Sequence, residues 1–395
     1  MTQETGKTCP SCGAGPLRQF FEAKGVPVNS CILLASPEEA RAYPRGDIRL
    51  GFCGGCGFVS NMAFDERLTE YSGRYEETQG FSPTFGAFHD QLATRLIERY
   101  GLRGKEILEI GCGKGEFLAL ICRLGGNRGV GFDPGYVEGR LEPDRESQIT
   151  IIRDFYSAKY RRYAGDLVCC KMTLEHIPAT GEFVGTVRDA VADRPGTVVF
   201  FQVPEATRIL RDCAFEDVYY EHCSYFSPGS LERLFRRFGF ETLDVGTEYG
   251  GQYLTIEARP GPDRQADRPL RHDDVERLGE YVARFPGRCR ERLETWRARL
   301  DELRESGRRV ALWGSGSKGV SFLTTLGVGE EVGCVVDINP FRQGHFMAGT
   351  GHPIVAPESL TDYKPDTVIV MNGVYRDEIA ASLRGLGLTP EVVCL

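Results

Sequence analysis

The chain has 395 residues, of which 41% are hydrophobic, and it carries a formal net charge of -8. This length predicts two or three domains, because single hydrophobic cores stop growing well below it. The acidic balance argues against nucleic acid as a partner, since phosphate binding needs a basic face. The apolar runs are too short to span a bilayer, and the N-terminus lacks the apolar core of a signal peptide. We therefore expect a cytoplasmic protein with no membrane contact.

Two C-x-x-C pairs lie in the cysteine- and turn-rich segment of residues 1–75. Cys9-Pro-Ser-Cys12 and Cys53-Gly-Gly-Cys56 are each followed by a glycine. Tetrahedral zinc takes four thiolates, and two such turns supply them without leaving a position open for water. A large cytosolic protein keeps its thiols reduced, which favours metal binding over disulfides. We predict a structural Zn²⁺ site in a small N-terminal domain; four unrelated reduced cysteines are the alternative.

Residues 76–260 alternate helical patterns with short apolar runs such as "EILEIGC", "RGVGFD", "DLVCCKM" and "TVVFFQVP". This alternation is typical of a parallel sheet in an α/β fold. The first run ends in Glu109 and a glycine-rich turn formed by Gly111, Gly113 and Gly115. Asp133 ends the next run, where a carboxylate can accept both hydroxyls of a ribose. Asp154 and Phe155 follow the third run, "ITII", and can frame an adenine ring.

Residues 217–227, "DVYYEHCSYFS", combine four aromatic residues with a histidine, and the chain has six histidines in all. Histidine suits proton abstraction near neutral pH. Glu221 and His222 are neighbours, so they would point to opposite faces of a strand and need a turn to cooperate. The stretch is either a reactive centre or an aromatic flap that packs on the sheet edge.

Residues 261–269 read as a linker, and a charged helix is predicted over about 273–306. Three more strand patterns then predict a second, smaller Rossmann-like domain over residues 261–395. Gly314, Gly316 and Gly319 follow a strand in dinucleotide-binding spacing, and Asp337 ends the next strand. Lys318 within the turn fits a platform for nucleotide phosphates equally well. A purely structural Rossmann unit is the third possibility.

The glycine-rich turn, Asp133 and the "LEHI" segment that follows "DLVCCKM" together resemble class I S-adenosylmethionine-dependent methyltransferases. "LEHI" does not fit a NAD-type dehydrogenase, which is the alternative. The resemblance implies that Glu109 and the glycines hold the methionine end of the donor, while Asp133 binds its ribose. Glu175 and His176 of "LEHI" would line the donor pocket, often in a structural role.

The order of cysteine pairs, methyltransferase core, "YYEHCSYFS" and "GSGSKG" resembles the three-domain sugar C-methyltransferases. The resemblance implies C-methylation of a nucleotide-linked deoxy-keto-sugar through an enolate. His222 would be the base, Tyr219 would polarise or position the substrate, and Glu221 would orient the histidine. Tyr75 would reach the substrate. Gly316, Lys318 and Asn372 are the residues expected to contact its nucleotide.

The chain departs from the resembled family in its first turn, which reads "EIGCGKG" where an EIGSNDG-like sequence is usual. Lys114 stands where an acidic or amide residue is typical. Donor binding is still expected, whereas the sugar substrate is open. The alternatives are an O- or N-methyltransferase acting on another small molecule, and a zinc-containing binding module without catalysis.

Overall fold

The computed structural model describes residues 6–141, 149–261 and 270–395, and its strands form three sheets. The predicted linker lies almost entirely outside the described residues. The strands are β1 Arg18–Pro27, β2 Arg45–Phe52, β3 Val59–Asn61, β4 Glu106–Ile110, β5 Arg128–Phe132, β6 Ile149–Ile152, β7 Leu167–Lys171, β8 Val198–Pro204, β9 Ser224–Tyr225, β10 Phe240–Glu248, β11 Tyr253–Pro260, β12 Val310–Trp313, β13 Cys334–Val336, β14 Ile354–Val355, β15 Thr367–Val370 and β16 Glu391–Cys394.

Ten α-helices lie in the described residues and connect or cover these strands. They are α1 Pro37–Ala42, α2 Pro83–Tyr100, α3 Glu116–Gly125, α4 Thr180–Ala190, α5 Ala206–Asp212, α6 Pro228–Arg237, α7 Val275–Glu305, α8 Ser317–Thr325, α9 Leu360–Tyr363 and α10 Arg376–Gly385. In this part of the chain, no helix combines the length and apolar character that crossing a membrane would require.

The central sheet has seven strands in the order β10-β11-β8-β7-β4-β5-β6. Strands β8, β7, β4, β5 and β6 are parallel, and β10 and β11 form an antiparallel edge. The apolar runs become parallel strands because helices cover both faces and bury alternate side chains equally. This is the Rossmann-like core that the sequence predicts. It brings the ends of β4, β5 and β7 to one edge of the sheet, where α/β folds bind ligands.

The N-terminal sheet is antiparallel, with the order β1-β2-β3-β9. Its fourth strand, β9, belongs in sequence to the core and begins two residues after His222. In the pairing of β3 with β9, Val59 lies opposite Tyr225 and Ser60 lies opposite Ser224. The N-terminal unit and the stretch "YYEHCSYFS" are therefore joined by main-chain hydrogen bonds.

The C-terminal sheet is wholly parallel, with the order β14-β13-β12-β15-β16. Helix α7 leads into it and contains Pro286. One hydrophobic core runs through the N-terminal sheet, α7 and the C-terminal sheet, and includes Phe52, Phe285 and Phe322. Each fully buried phenylalanine contributes about 1.5–3 kcal/mol relative to exposure. This shared core fixes the C-terminal unit against the rest of the molecule.

Candidate active site

The conformation of the glycine-rich turn after β4 requires a glycine at position 111. Gly111 has φ 69°, and a Cβ added to it would lie 2.0 Å from Oγ1 of Thr173. The backbone N–H of Gly113 donates to Oδ2 of Asp133 over 2.9 Å, and that of Gly135 donates to Oδ1 over 2.7 Å. These bonds hold the Asp133 carboxylate at the end of β5, and each oxygen keeps a lone pair for a ligand.

Glu109 supplies a buried acid beside this turn. Its side chain is 3% exposed, and Oε1 lies 3.6 Å from Nζ of Lys171. Within the described residues, Oε2 has no hydrogen-bond partner. Burial raises the pKa of Glu109 to about 7, although Lys171 opposes the shift. An acid with an unsatisfied oxygen in this position suits a ligand that carries an ammonium group.

The predicted donor residues line one cavity of about 760 Å³, with the exception of Gly115, which caps α3. The residues concerned are Glu109, Gly111, Gly113, Asp133, Asp154 and Phe155. Asp154 accepts hydrogen bonds from the Lys159 ammonium and the Tyr160 hydroxyl, each over 2.6 Å. The Phe155 side chain is 61% exposed, so its ring is available at the edge of this donor cavity.

Lys114, the unusual residue in the turn, is buried, and its ammonium group bonds main-chain carbonyls. Its ammonium donates to the carbonyls of Tyr75 and Gly135, each over 2.8 Å, and lies 3.4 Å from the Glu77 carboxylate. Lys114 therefore ties the segment around Tyr75 to the donor turn. This contact accounts physically for a lysine where the resembled family has other residues.

The stretch Tyr219–His222 forms a turn, in which the N–H of His222 bonds the Tyr219 carbonyl over 3.3 Å. The turn directs the side chains of Glu221 and His222 toward different neighbours. The Glu221 carboxylate accepts from Nδ2 of Asn29 over 3.2 Å, from the N–H of Ser30 over 3.1 Å and from the Tyr75 hydroxyl over 2.9 Å. Glu221 thus anchors the turn to the N-terminal unit, which differs from the expected contact with His222.

His222 is 4% exposed, and burial lowers its pKa well below the ordinary value. Its ring centroid lies 4.1 Å from that of Tyr219 and 4.8 Å from that of His176. The carboxylate that faces it belongs to Glu175, whose Oε1 lies 4.0 Å from Nε2 of His222. The His222 imidazole is therefore neutral at physiological pH and able to accept a proton.

A second cavity, of about 330 Å³, lies between the core and the C-terminal unit. Tyr219 and His222 line it from the core, and Gly316, Lys318 and Asn372 line it from the C-terminal unit. The Lys318 ammonium pairs with Asp217 over 2.7 Å. The Asn372 amide exchanges two hydrogen bonds with Gln252, over 2.8 and 3.1 Å. The structure thus brings Tyr219 and His222 to one cavity with the predicted nucleotide residues, whereas Glu221, the third predicted catalytic residue, does not line it.

The two cavities meet along a common wall. Met172, in this wall, has φ 49°, a left-handed conformation that is costly for a non-glycine residue and is often found at functional sites. The residues that line both cavities are Tyr75, Glu77, Thr78, Gln79, Met172, His176 and Tyr253. A donor in the first cavity and an acceptor in the second would face each other across these side chains.

The four predicted zinc ligands converge. The Sγ atoms of Cys9 and Cys56 lie 3.7 Å apart, and those of Cys12 and Cys53 lie 3.6 Å apart. All four Sγ atoms lie within 4.8 Å of one another. Zn–S bonds of about 2.3 Å in a tetrahedron place sulfurs about 3.8 Å apart, so this cluster fits a zinc ion.

Several cavity residues carry no motif and were missed from the sequence. Arg208 on α5, Trp313 at the end of β12 and Gln252 before β11 line the second cavity. Lys171, which ends β7, lines the donor cavity. For Trp313 and Lys171 a signal existed, since each is the last residue of a parallel strand. Arg208 and Gln252 reach the cavity only through the packing of distant elements.

Two models of known protein families match this chain. Residues 85–245 match the family model of a methyltransferase domain, and residues 270–387 match the model of the C-methyltransferase C-terminal domain. The chain is an S-adenosylmethionine-dependent methyltransferase. The methyltransferase is 29% identical over 305 residues to the C-methyltransferase NovU of Streptomyces niveus, covering 73% of this chain and 71% of NovU. This similarity and the C-terminal model support a C-methyltransferase.

Two other similarities each cover less than half of the methyltransferase. It is 31% identical over 106 residues to the ubiquinone biosynthesis O-methyltransferase of Escherichia coli, or 26% of this chain and 43% of that protein. Magnesium protoporphyrin IX methyltransferase from Synechocystis, solved with bound S-adenosylmethionine, is 17% identical with a TM-score of 0.33. That match covers 45% of this chain and 80% of the solved one.

Proposed function

We propose that this enzyme methylates a carbon atom of a nucleotide-linked deoxy-keto-sugar through an enolate. The observation that carries the proposal is the position of His222 and Tyr219. Both line the cavity that also contains the second glycine-rich turn and Lys318, and this cavity shares a wall with the donor cavity. A base, a hydrogen-bond donor and a cationic group thus surround the space next to the donor.

The donor cavity fits S-adenosylmethionine by its chemistry. Glu109, with its unpartnered oxygen, would take the ammonium group, while the glycine turn lets the backbone approach the amino-acid end. Asp133 would accept the ribose hydroxyls. Asp154 and Phe155 would frame the adenine. When bound, S-adenosylmethionine supplies an electrophilic methyl group on a positively charged sulfur.

The acceptor chemistry requires a proton to leave the carbon next to a ketone. His222 would take this proton on its neutral imidazole, and the C–H electron pair would pass to the enolate. Tyr219 is buried, which raises its pKa well above the ordinary value and keeps its hydroxyl protonated. That hydroxyl would donate to the enolate oxygen, where negative charge develops. The enolate carbon would then be the nucleophile for the methyl group of a donor held by Glu109 and Asp133, and the electron pair of the broken S–C bond would stay on sulfur.

The nucleotide part would lie against the C-terminal turn. Gly316 precedes α8, whose first backbone N–H groups provide an anion site at a helix N-terminus. Lys318 adds a positive charge. Arg208 lines the same cavity, and its Nε has no partner within the described residues. Asn372 and Tyr75 complete the proposed substrate contacts. These groups favour a phosphate-bearing ligand over an uncharged one.

We further propose that Cys9, Cys12, Cys53 and Cys56 hold one structural Zn²⁺ ion. All four positions are thiolates, so no coordination site is left for catalysis. Metal analysis of freshly purified protein should give one zinc per chain. A Cys56→Ser variant should bind well below one equivalent, and a zinc-free wild-type protein that remains folded and active would contradict the proposal.

The proposed function is tested with a thymidine-diphosphate-linked deoxy-keto-hexose and S-adenosylmethionine. Wild-type enzyme should add one methyl group to carbon, and the substrate α-proton should exchange with deuterium from solvent. His222→Ala and His222→Asn should lower methyl transfer by about 10²–10⁴-fold while donor affinity is kept. Near-normal turnover in these variants would remove His222 from the mechanism. Methylation of an oxygen, without α-exchange, would favour the O-methyltransferase alternative.

A further inference from the structure

Glu175 is a buried carboxylate that the proposed mechanism leaves without a role, and it lines the second cavity and not the donor cavity that the resemblance implied. It lies in the short 3-10 helix Leu174–His176 that follows β7, and its side chain is 1% exposed. Within the described residues, neither carboxylate oxygen has a hydrogen-bond partner. Burial of an unsatisfied polar group costs about 1–3 kcal/mol, and more for a charge. Such a group calls for a functional explanation.

The imidazole of His222 faces this carboxylate. Oε1 of Glu175 lies 4.0 Å from Nε2 of His222, and Nδ1 of His222 is itself without a partner in the described part of the chain. Both residues line the second cavity. A gap of 4.0 Å is longer than a hydrogen bond, and catalytic hydrogen bonds are often long before substrate binds.

Two competing arrangements are disfavoured by the contacts. Glu175, His176 and His222 are close enough to hold a metal ion together. However, the His176 ring is already engaged, by the Tyr71 hydroxyl at 2.9 Å and by the backbone of Glu221. Glu221 is the other carboxylate near the turn, and its oxygens are bonded to the N-terminal unit. In the described part of the chain, both Glu175 oxygens and Nδ1 of His222 are without partners, and the two side chains are close enough to pair.

We propose that Glu175, and not Glu221, is the positioning residue that stabilises His222 as it takes the substrate α-proton. The inference rests on the proposed C-methyl transfer. The proton passes from the substrate carbon to the imidazole, the electron pair stays on the substrate as the enolate, and the Glu175 carboxylate faces the resulting imidazolium. Without this negative charge, a positively charged imidazole in so buried a site would be strongly disfavoured.

The pair should give a distinctive pH dependence. Burial raises the pKa of Glu175 to about 8, against the opposing effect of its own backbone amide. Below that pH the carboxyl group is protonated and cannot stabilise an imidazolium, so the rate should rise with pH through about 8. The other titratable groups around the pair are His176 in the same short helix, Cys170 on β7, Tyr71, Tyr219, Cys223 and Tyr253.

Glu175→Gln tests the proposal, because it keeps the shape and removes the charge. It should lower kcat by about 10–10³-fold with KM for the sugar nucleotide little changed, and it should abolish the rise near pH 8. Glu175→Asp should restore part of the rate. Glu216→Gln is a matched control, since Glu216 is also buried with one unpartnered oxygen in the described residues but lines neither cavity. Its kcat should be that of wild type.

Imidazole NMR of His222 without substrate separates this inference from the proposed function. In wild type the His222 signals should shift with pH near 8 as Glu175 ionises, and Glu175→Gln should remove that shift. If wild type fails to methylate the keto-sugar but the NMR shift is lost in the variant, the proposed function is wrong and the pairing stands. If His222 titrates identically in both proteins, the pairing is wrong. An unchanged kcat–pH profile in the variant would also overturn it.

Discussion

The two glycine-rich turns of this protein have the same construction but differ in the charged side chains that lie beside them. Each follows a parallel strand, and in each an aspartate at the end of the next strand accepts a backbone N–H of the turn. Asp133 bonds Gly113 over 2.9 Å, and Asp337 bonds Ser315 over 3.0 Å. Glu109 and Asp133 surround the first turn, whereas Lys318, Arg208 and Arg342 line the cavity of the second.

The two turns share one backbone scaffold, so we expect the neighbouring side chains to select the ligand. An acidic cavity suits a donor that carries an ammonium group and a sulfonium. A cavity with basic groups suits the phosphates of a nucleotide. In the second turn, Oδ2 of Asp337 also accepts from the Ser315 hydroxyl, so that oxygen is less available for a ribose than the oxygens of Asp133. This argues against NAD at the C-terminal turn.

The largest expected effect is the difference between adding a methyl group to the first turn and adding one to the second. Gly111→Ala should reduce donor affinity by about 100-fold or more, because the new Cβ would lie 2.0 Å from Thr173 and φ is 69°. The left-handed backbone alone costs about 1–2 kcal/mol. At Gly316 an added Cβ meets no atom within 4 Å, so Gly316→Ala should leave donor affinity and thermal stability unchanged. Isothermal titration calorimetry with S-adenosylhomocysteine measures the donor affinity of both variants. Equal affinities in the two variants would refute this prediction.

Substituting the lysine of each turn should affect a different property, nucleotide affinity for Lys318 and thermal stability for Lys114. Lys318→Met should weaken thymidine diphosphate binding by about 10–100-fold, the value of a hydrogen bond to a charged group. Its donor affinity and Tm should stay close to wild type. Lys114→Met should instead lower Tm by several degrees, since the Lys114 side chain is 1% exposed and its ammonium satisfies two carbonyls. A fall in nucleotide affinity for Lys114→Met without loss of Tm would contradict this assignment.

A smaller effect is expected in the pH dependence of donor affinity. Burial raises the pKa of Glu109 to about 7, so the carboxylate that binds an ammonium group forms only as pH rises through that value. S-adenosylhomocysteine should therefore bind a few-fold more tightly at pH 8 than at pH 6. Glu109→Gln should bind it more weakly at both values and lose the dependence. If the pH dependence of the affinity persists in Glu109→Gln, it arises from the titration of another group.

The parts of the fold that depend on local sequence pattern were predictable. The apolar runs predicted the strands, the long charged helix was expected over 273–306 and lies at Val275–Glu305, and Glu109 and Asp133 end adjacent parallel strands. Residues at such strand ends share one edge for geometric reasons. Their convergence on one cavity therefore followed from the pattern alone.

The contacts that decide chemistry inside the cavities were not predictable. Glu221 is adjacent to His222 in sequence but bonds Ser30 and Tyr75, whereas Glu175 approaches His222 from the short helix that follows β7. Sequence distance gives no information about which carboxylate faces an imidazole once the chain turns. Lys114 is a similar case, because its partners are main-chain carbonyls that carry no sequence signal.

The pairing of β3 with β9 has a consequence for dividing this protein into exchangeable modules. A cut near residue 75 follows the sequence boundary, but it would remove three strands of a sheet and leave β9 as an unpaired edge. It would also strip the Glu221 carboxylate of Asn29, Ser30 and Tyr75. A fragment of that kind could retain the donor turn and yet have no defined place for His222. Chimeras that exchange the first module should therefore carry their own version of residues 219–225 with it.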